Sequence, residues 1–274
     1  MPWFDRIFRR RKVRREAILS EPFPEAWLPV VQQCLPCYAA LTKEEQRRLR
    51  EMVQLFVAEK EFLGIGRLKI TDEIKVAIAA QACLLLVGIP HFDIFPGLRE
   101  VIVQPHDFGE SIETVAPDGR RYRIEDLHAG QAWRHGPVVL AWNSVEHSIA
   151  RAGDGFNVVF HEFAHVLDVQ TGIRFGAPPL ETREQRNEWE RVFQAEFKTF
   201  VEATRRGKRT FIDPYGAENQ AEFFAVITEH FFEQPQEFKT KHPDLYRQLR
   251  LFYRQDPAKW WSGGTWTGRT GRWG

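Results

Sequence analysis

The sequence predicts an α+β fold: a predominantly helical single domain with a small sheet. Two observations carry that expectation. Apolar residues recur with helical spacing before residue 86 and again after residue 157, whereas residues 101–142 hold short β-branched and aromatic runs. The composition is that of an ordinary folded protein, 43% hydrophobic and 27% charged over 274 residues. Helices, then a few strands, then helices suggest α+β architecture.

The elements follow in order. Residues 1–20 form a basic tail, with seven Arg or Lys among the first 15 residues. No apolar segment with a small-residue cleavage site follows them, so they do not read as a secretory signal. The tail reads either as a weak anchor on an acidic surface or as a solvated, frayed terminus. Pro24 to Leu41 is a moderately apolar helical stretch. Thr42-Lys-Glu-Glu45 is a capping box that opens a helix to about Lys60, with Leu49, Met52, Val53 and Phe56 on one face. Thr71 starts a helix so apolar that it belongs at the centre of the core. The longest apolar run, Val76 to Pro90, is interrupted by Gln81 and falls short of the ~20 residues that cross a bilayer.

Val101–Val103, Arg120–Ile124 and Val138–Trp142 read as strands, with Pro117-Asp-Gly119 as a turn before the second. Long amphipathic helices are expected over Thr182–Arg205, Ala217–Phe232 and Asp244–Arg254. Residues 259–274, rich in Gly and isolated Trp, read as a flexible tail. The domain proper is thus expected over 21–258.

Charge and cysteines narrow the function. A net charge of +1 argues against a dedicated nucleic-acid binder. Three cysteines cannot all pair within the chain, so a disulfide scaffold is excluded and a reducing, cytoplasmic setting is expected. Cys34-Leu-Pro-Cys37 lacks a second ligand pair and a βαβ setting, so Cys34, Cys37 and Cys83 read as packing residues.

The chemistry centres on His161-Glu162-Phe163-Ala164-His165, an H-E-x-x-H on a helix. Residues four apart share a helix face, so both imidazoles can meet one metal ion. Glu162, one position off that stripe, can take a proton from an activated water. The apolar flanks bury the helix, and two histidines and a glutamate in such a place require partners.

A third ligand is needed. Residues 168 and 171 are Asp168 and Thr171, which excludes the pattern with a glycine and third histidine there. Glu222, in a helix with Phe223, Phe224, Val226, Ile227 and Phe231, stands out as the ligand. Glu218 is its rival, and Glu196 and Glu229 read as solvated helix charges. Tyr215 reads either as a turn residue after Pro214 or as a hydroxyl donor to an oxyanion. Asp168 reads equally as an orienting acceptor for a ligand histidine and as a solvated helix-end carboxylate. His230, two turns past Glu222, is a further group to locate.

HEFAHVLD, DPYGAENQAEFFAV and IAAQACLLL together resemble the Mlc titration factor A family of bacterial zinc-dependent peptidases. The likeness spans roughly Glu21 to Arg254. It implies a gluzincin-type metallopeptidase related in its catalytic core to anthrax lethal factor, with its sheet beside the H-E-x-x-H helix. It further implies one zinc per chain, His161, His165 and Glu222 as ligands, Glu162 as general base and Tyr215 as an active-site tyrosine. Enteric members have aminopeptidase activity on peptides and bind the glucose-system repressor Mlc. A peptide substrate and a Mlc-like repressor are therefore the expected partners. The alternative function is a non-catalytic protein that sequesters a transcription factor.

Overall fold

A strand buried on both faces forms the middle of the sheet. The computed structural model describes residues 3–90, 93–106, 112–115, 121–124, 136–170, 180 and 182–260. Four helices and a strand come first: α1 (Trp3–Ser20), α2 (Trp27–Cys34), α3 (Lys43–Glu59), β1 (Glu61–Gly64) and α4 (Asp72–Leu84). The strands β2 (Glu100–Gln104), β3 (Ile112–Val115), β4 (Arg121–Ile124) and β5 (Val138–Ala141) follow. Helices α5 (Trp142–Ala150), α6 (Val158–Gln170), α7 (Arg183–Arg205), α8 (Gln220–Glu233), α9 (Pro235–Lys241) and α10 (Pro243–Tyr253) complete the order.

The main sheet is parallel, in the order β1-β2-β5, with Phe62 opposite Val101 and Val101 opposite Val138. Every residue of β2 is buried, as expected of a parallel strand covered on both faces. The antiparallel pair β3-β4 stands apart from that sheet, with Ile112 opposite Ile124. The turn read at Pro117–Gly119 lies outside the described residues.

The capping box forms as expected: Thr42 Oγ1 accepts from the Glu45 N–H, and the Glu45 carboxylate accepts from the Thr42 N–H. Helix α4 is buried from Ile74 to its end except at Lys75, and packs against α2, α3 and α6. At the end of α3 the buried Lys60 ammonium donates to the carbonyls of Ile94, Phe95 and Leu98 at 2.8–2.9 Å. All three cysteines are free thiols. Burial pushes the thiols of Cys34 and Cys83 up, and that of Cys37 to about 12, so they remain protonated packing groups.

Several boundaries differ from the sequence reading. The basic tail is helix α1, and Arg11 and Arg15 dock it on Glu59 and Asp93, so from Arg11 on it is not frayed. Trp142 begins α5 instead of ending a strand, because the Asn143 N–H donates to Pro105 O and turns the chain. Helix α8 begins at Gln220, not Ala217, since Asn219 caps it and Pro214–Ala217 is a 3-10 turn. Trp260, assigned to the tail, is partly buried against the core, its ring 6.3 Å from that of Phe232. Among the described residues, no helix is long and apolar enough to cross a membrane.

Candidate metal centre

Two capped helices build the site. Asn157 Oδ1 accepts from the backbone N–H groups of Val159 and Phe160, which starts α6 four residues before His161. Val159, Phe163, Ala164 and Leu167 are fully buried on the inner side of α6. His161, Glu162 and His165 line a cavity of about 740 Å³. Asn219 Oδ1 accepts from the N–H groups of Ala221 and Glu222 and so starts α8. Every residue of α8 from Glu222 to Glu233 is buried, so each polar group there requires a partner inside the fold.

Glu222 meets the histidines. Its Oε2 lies 3.0 Å from His161 Nε2 and 3.3 Å from His165 Nε2. The two imidazole nitrogens are 3.2 Å apart. A tetrahedral site with ligand bonds of ~2.0 Å has edges of ~3.3 Å, so this donor set fits one cation of that kind. Two nitrogens and one carboxylate oxygen also match the ligand types of such a centre. Among the described residues these three are the group whose ligand atoms all lie within 4.8 Å of one another.

The charge balance favours a cation here. Burial alone would push the Glu222 carboxyl up, but His161 and then His165 outweigh it and hold the carboxyl well below the usual range. Burial would likewise depress His161, yet Glu222 and Glu229 outweigh it and favour the charged imidazole. At Glu229 burial outweighs the same imidazole and pushes the carboxyl up, so the pull on positive charge comes chiefly from Glu222.

The rivals for third ligand go elsewhere. Glu218 is exposed, and Glu196 accepts from His242 Nδ1 at 3.0 Å. Glu229 is not the solvated charge expected from the sequence: it is 3% exposed, and its Oε1 lies 2.8 Å from His161 Nδ1, on the far side of the ring from Glu222. The signal for it was available, because Glu229 lies seven residues past Glu222 and so returns to the same helix face.

Tyr215 sits in the 3-10 turn before α8, where Asp213 Oδ1 accepts its backbone N–H. Its ring centroid is 5.8 Å from that of His161, and it lines the same cavity. Burial, then the Glu222 charge, pushes its hydroxyl above the ordinary value, so the phenol keeps its proton at neutral pH. Asp168 is buried near the end of α6, not a solvated carboxylate. His230 also lines the cavity, with Nδ1 3.1 Å from Gln234 Oε1. Because Gln234 Nε2 donates to Gly153 O, its oxygen faces the ring, and His230 carries its proton on Nδ1. Gly155 lets the preceding loop lie against this pair: its φ is +99°, and a Cβ there would come within 2.8 Å of Gln234 Oε1.

The cavity lining includes Val139 of β5, and β5 packs against α6, so the sheet stands beside the H-E-x-x-H helix. The sequence profile of the glucose-regulated metallopeptidase M90 family matches residues 8–254. The chain belongs to that family. Similar proteins align over most of its length. The uncharacterized protein slr2042 of Synechocystis is 37% identical over 246 residues, covering 89% of each chain. Mlc titration factor A of Klebsiella pneumoniae is 34% identical over 227 residues, 81% of this chain and 84% of the relative. That of Pectobacterium atrosepticum is 31% identical over 237 residues, 85% and 87% of the two chains. Membership of the M90 family makes the chain a member of a metallopeptidase group, in keeping with its buried His-His-Glu cluster.

Proposed function

We propose that this protein is a zinc-dependent peptidase of aminopeptidase type that acts in the cytoplasm. The observation that carries the reading is the meeting of His161 and His165 from α6 with Glu222 from α8 on a cavity that Glu162 also lines. In this reading those three residues hold one zinc ion. Zinc held there would supply Lewis-acid polarisation of a scissile carbonyl and a water whose pKa is lowered toward ~7.

The chain's own residues do the rest. Glu162, beside the ligands, accepts the proton of the attacking water and returns it to the leaving amine. The Tyr215 hydroxyl donates to the oxygen on which negative charge develops. The edge of β5 aligns an extended peptide by main-chain hydrogen bonds across the cavity. Glu222, the third ligand in this reading, offsets part of the cation's charge.

Elemental analysis of the purified chain tests this, together with peptide hydrolysis before and after chelation. One zinc per chain and chelator-sensitive hydrolysis are expected. A folded chain without stoichiometric metal, or hydrolysis indifferent to chelation, overturns the reading.

The relatives' name supports a second role, since two of them are called Mlc titration factors. A Mlc-like repressor would then be a partner of this chain as well. Glu162→Gln separates the roles: sequestration survives the substitution, whereas a function exerted by hydrolysis does not.

A further inference from the structure

Gln81 breaks the longest apolar run of the sequence, and the fold explains why it is there. It is completely buried in α4. Its Nε2 donates to Ala77 O at 3.1 Å, which leaves Oε1 to accept from Asn157 Nδ2 at 2.9 Å. The second Nδ2 hydrogen of Asn157 goes to Glu233 Oε1, also at 2.9 Å. Asn157 Oδ1 caps α6, and its backbone N–H donates to Glu229 Oε2 at 2.6 Å. Glu229 Oε1 then faces His161 Nδ1 at 2.8 Å. An unbroken chain of hydrogen bonds thus runs from α4 through Asn157 and Glu229 to His161.

The residue type at 229 follows from the donors. Asn157 N–H and His161 Nδ1–H both point at this side chain. They meet different oxygens, Oε2 and Oε1, so an amide would turn its NH2 group on one of them, whereas a carboxylate accepts at both. A glutamate that merely filled space in the core would carry the cost of burying its charge with no return in orientation.

We propose that Glu229 is a positioning residue. By accepting the Nδ1 proton of His161 it fixes the tautomer whose Nε2 lone pair faces Glu222 and His165. Asn157 and Gln81 hold Glu229 in place. This inference rests on the peptidase reading above, and general experience with such histidine–carboxylate pairs sets its scale, at ~10–100-fold in metal affinity or activity.

The test is a titration of the metal-free, full-length protein with Co²⁺ followed by visible absorption, with Zn²⁺ competition and with kcat and KM measured on a peptide. Glu229→Gln is expected to weaken Zn²⁺ binding ~10–100-fold, alter the Co²⁺ absorption bands and lower kcat more than it changes KM. Glu229→Asp, which keeps both oxygens one methylene short, recovers part of the loss. A folded Glu229→Gln protein with wild-type affinity, spectrum and kcat overturns the proposal. If Glu229→Gln does not fold, Gln81→Leu carries the same comparison from a distance: weakened Zn²⁺ binding supports the chain of bonds, and wild-type binding overturns it. Failure of the wild-type chain to take up either metal sinks the peptidase reading and this inference with it. Normal uptake that Glu229→Gln leaves unchanged sinks the inference alone.

Discussion

Arg15 grips Glu59 with two nitrogens, Nε on Oε1 at 2.6 Å and Nη2 on Oε2 at 2.7 Å. The same guanidinium reaches Asp93 Oδ1 at 2.7 Å, and Arg11 bridges both acids beside it. This paired geometry is the strong form of an ion pair. Partial solvent exposure limits its worth to roughly 1 kcal/mol. Arg15→Ala is expected to lower Tm by ~2–4 °C. A calorimetric scan with no shift would show that α1 stays docked without it.

The same latch has an acid limit. Burial alone would raise the carboxyls of Glu59 and Asp93, but Arg15 and Arg11 outweigh it and hold both below their ordinary values. A carboxyl lowered in the folded state stabilises above its unfolded pKa, ~4, and that contribution is lost as pH falls through the folded value. The Tm difference between wild type and Arg15→Ala should therefore be constant from neutral pH to about 5 and shrink below ~4. A gap that stays constant to pH 2 would assign the effect to packing.

Lys60 presents a different vulnerability. Its ammonium serves three carbonyls that are otherwise left without this donor. Lys60→Met keeps the stem and removes the donor, at an expected ~3 kcal/mol in urea unfolding. A loss under 1 kcal/mol would mean that water replaces the ammonium.

Glu162→Gln should keep its zinc and lose ~10²–10⁴-fold in kcat, because the amide preserves shape but accepts no proton. Zinc content and turnover are measured on the same preparation. Wild-type turnover would remove Glu162 from the role of base.

Tyr215→Phe should lower kcat ~10–10³-fold with zinc content and KM little changed, since the lost bond strengthens only as charge develops. Stopped-flow turnover of a small peptide measures it. An unchanged kcat would return Tyr215 to the role of a turn residue.

Much of this architecture was legible in the sequence, for identifiable reasons. The capping box at Thr42 and the apolar helix after Thr71 are local signals, and both stand in the fold. The i, i+4 spacing of His161 and His165 is local too. Glu222 was legible because aromatic neighbours marked its helix as buried. Glu229 carried only half a signal: its spacing from Glu222 puts it on the same helix face, but an acid in a helix looks the same in sequence whether it faces water or an imidazole 68 residues away. Asn157 and Gln81 escaped for the same reason, their partners lying 72–76 residues distant along the chain. The short helix α9 and the strand β1 escaped because seven and four residues hold too little periodicity to register.

The split of the cluster between α6 and α8 also sets a schedule. A ribosome delivers chain at ~5–20 residues per second. His161 and Glu222 are 61 residues apart, so several seconds separate their synthesis. Throughout that interval the nascent chain carries the histidine pair without its carboxylate. The complete cluster comes into being only once α8 has emerged and packed on α6. A cluster built this way cannot close on a cation with all three residues while the segment between them is still being made.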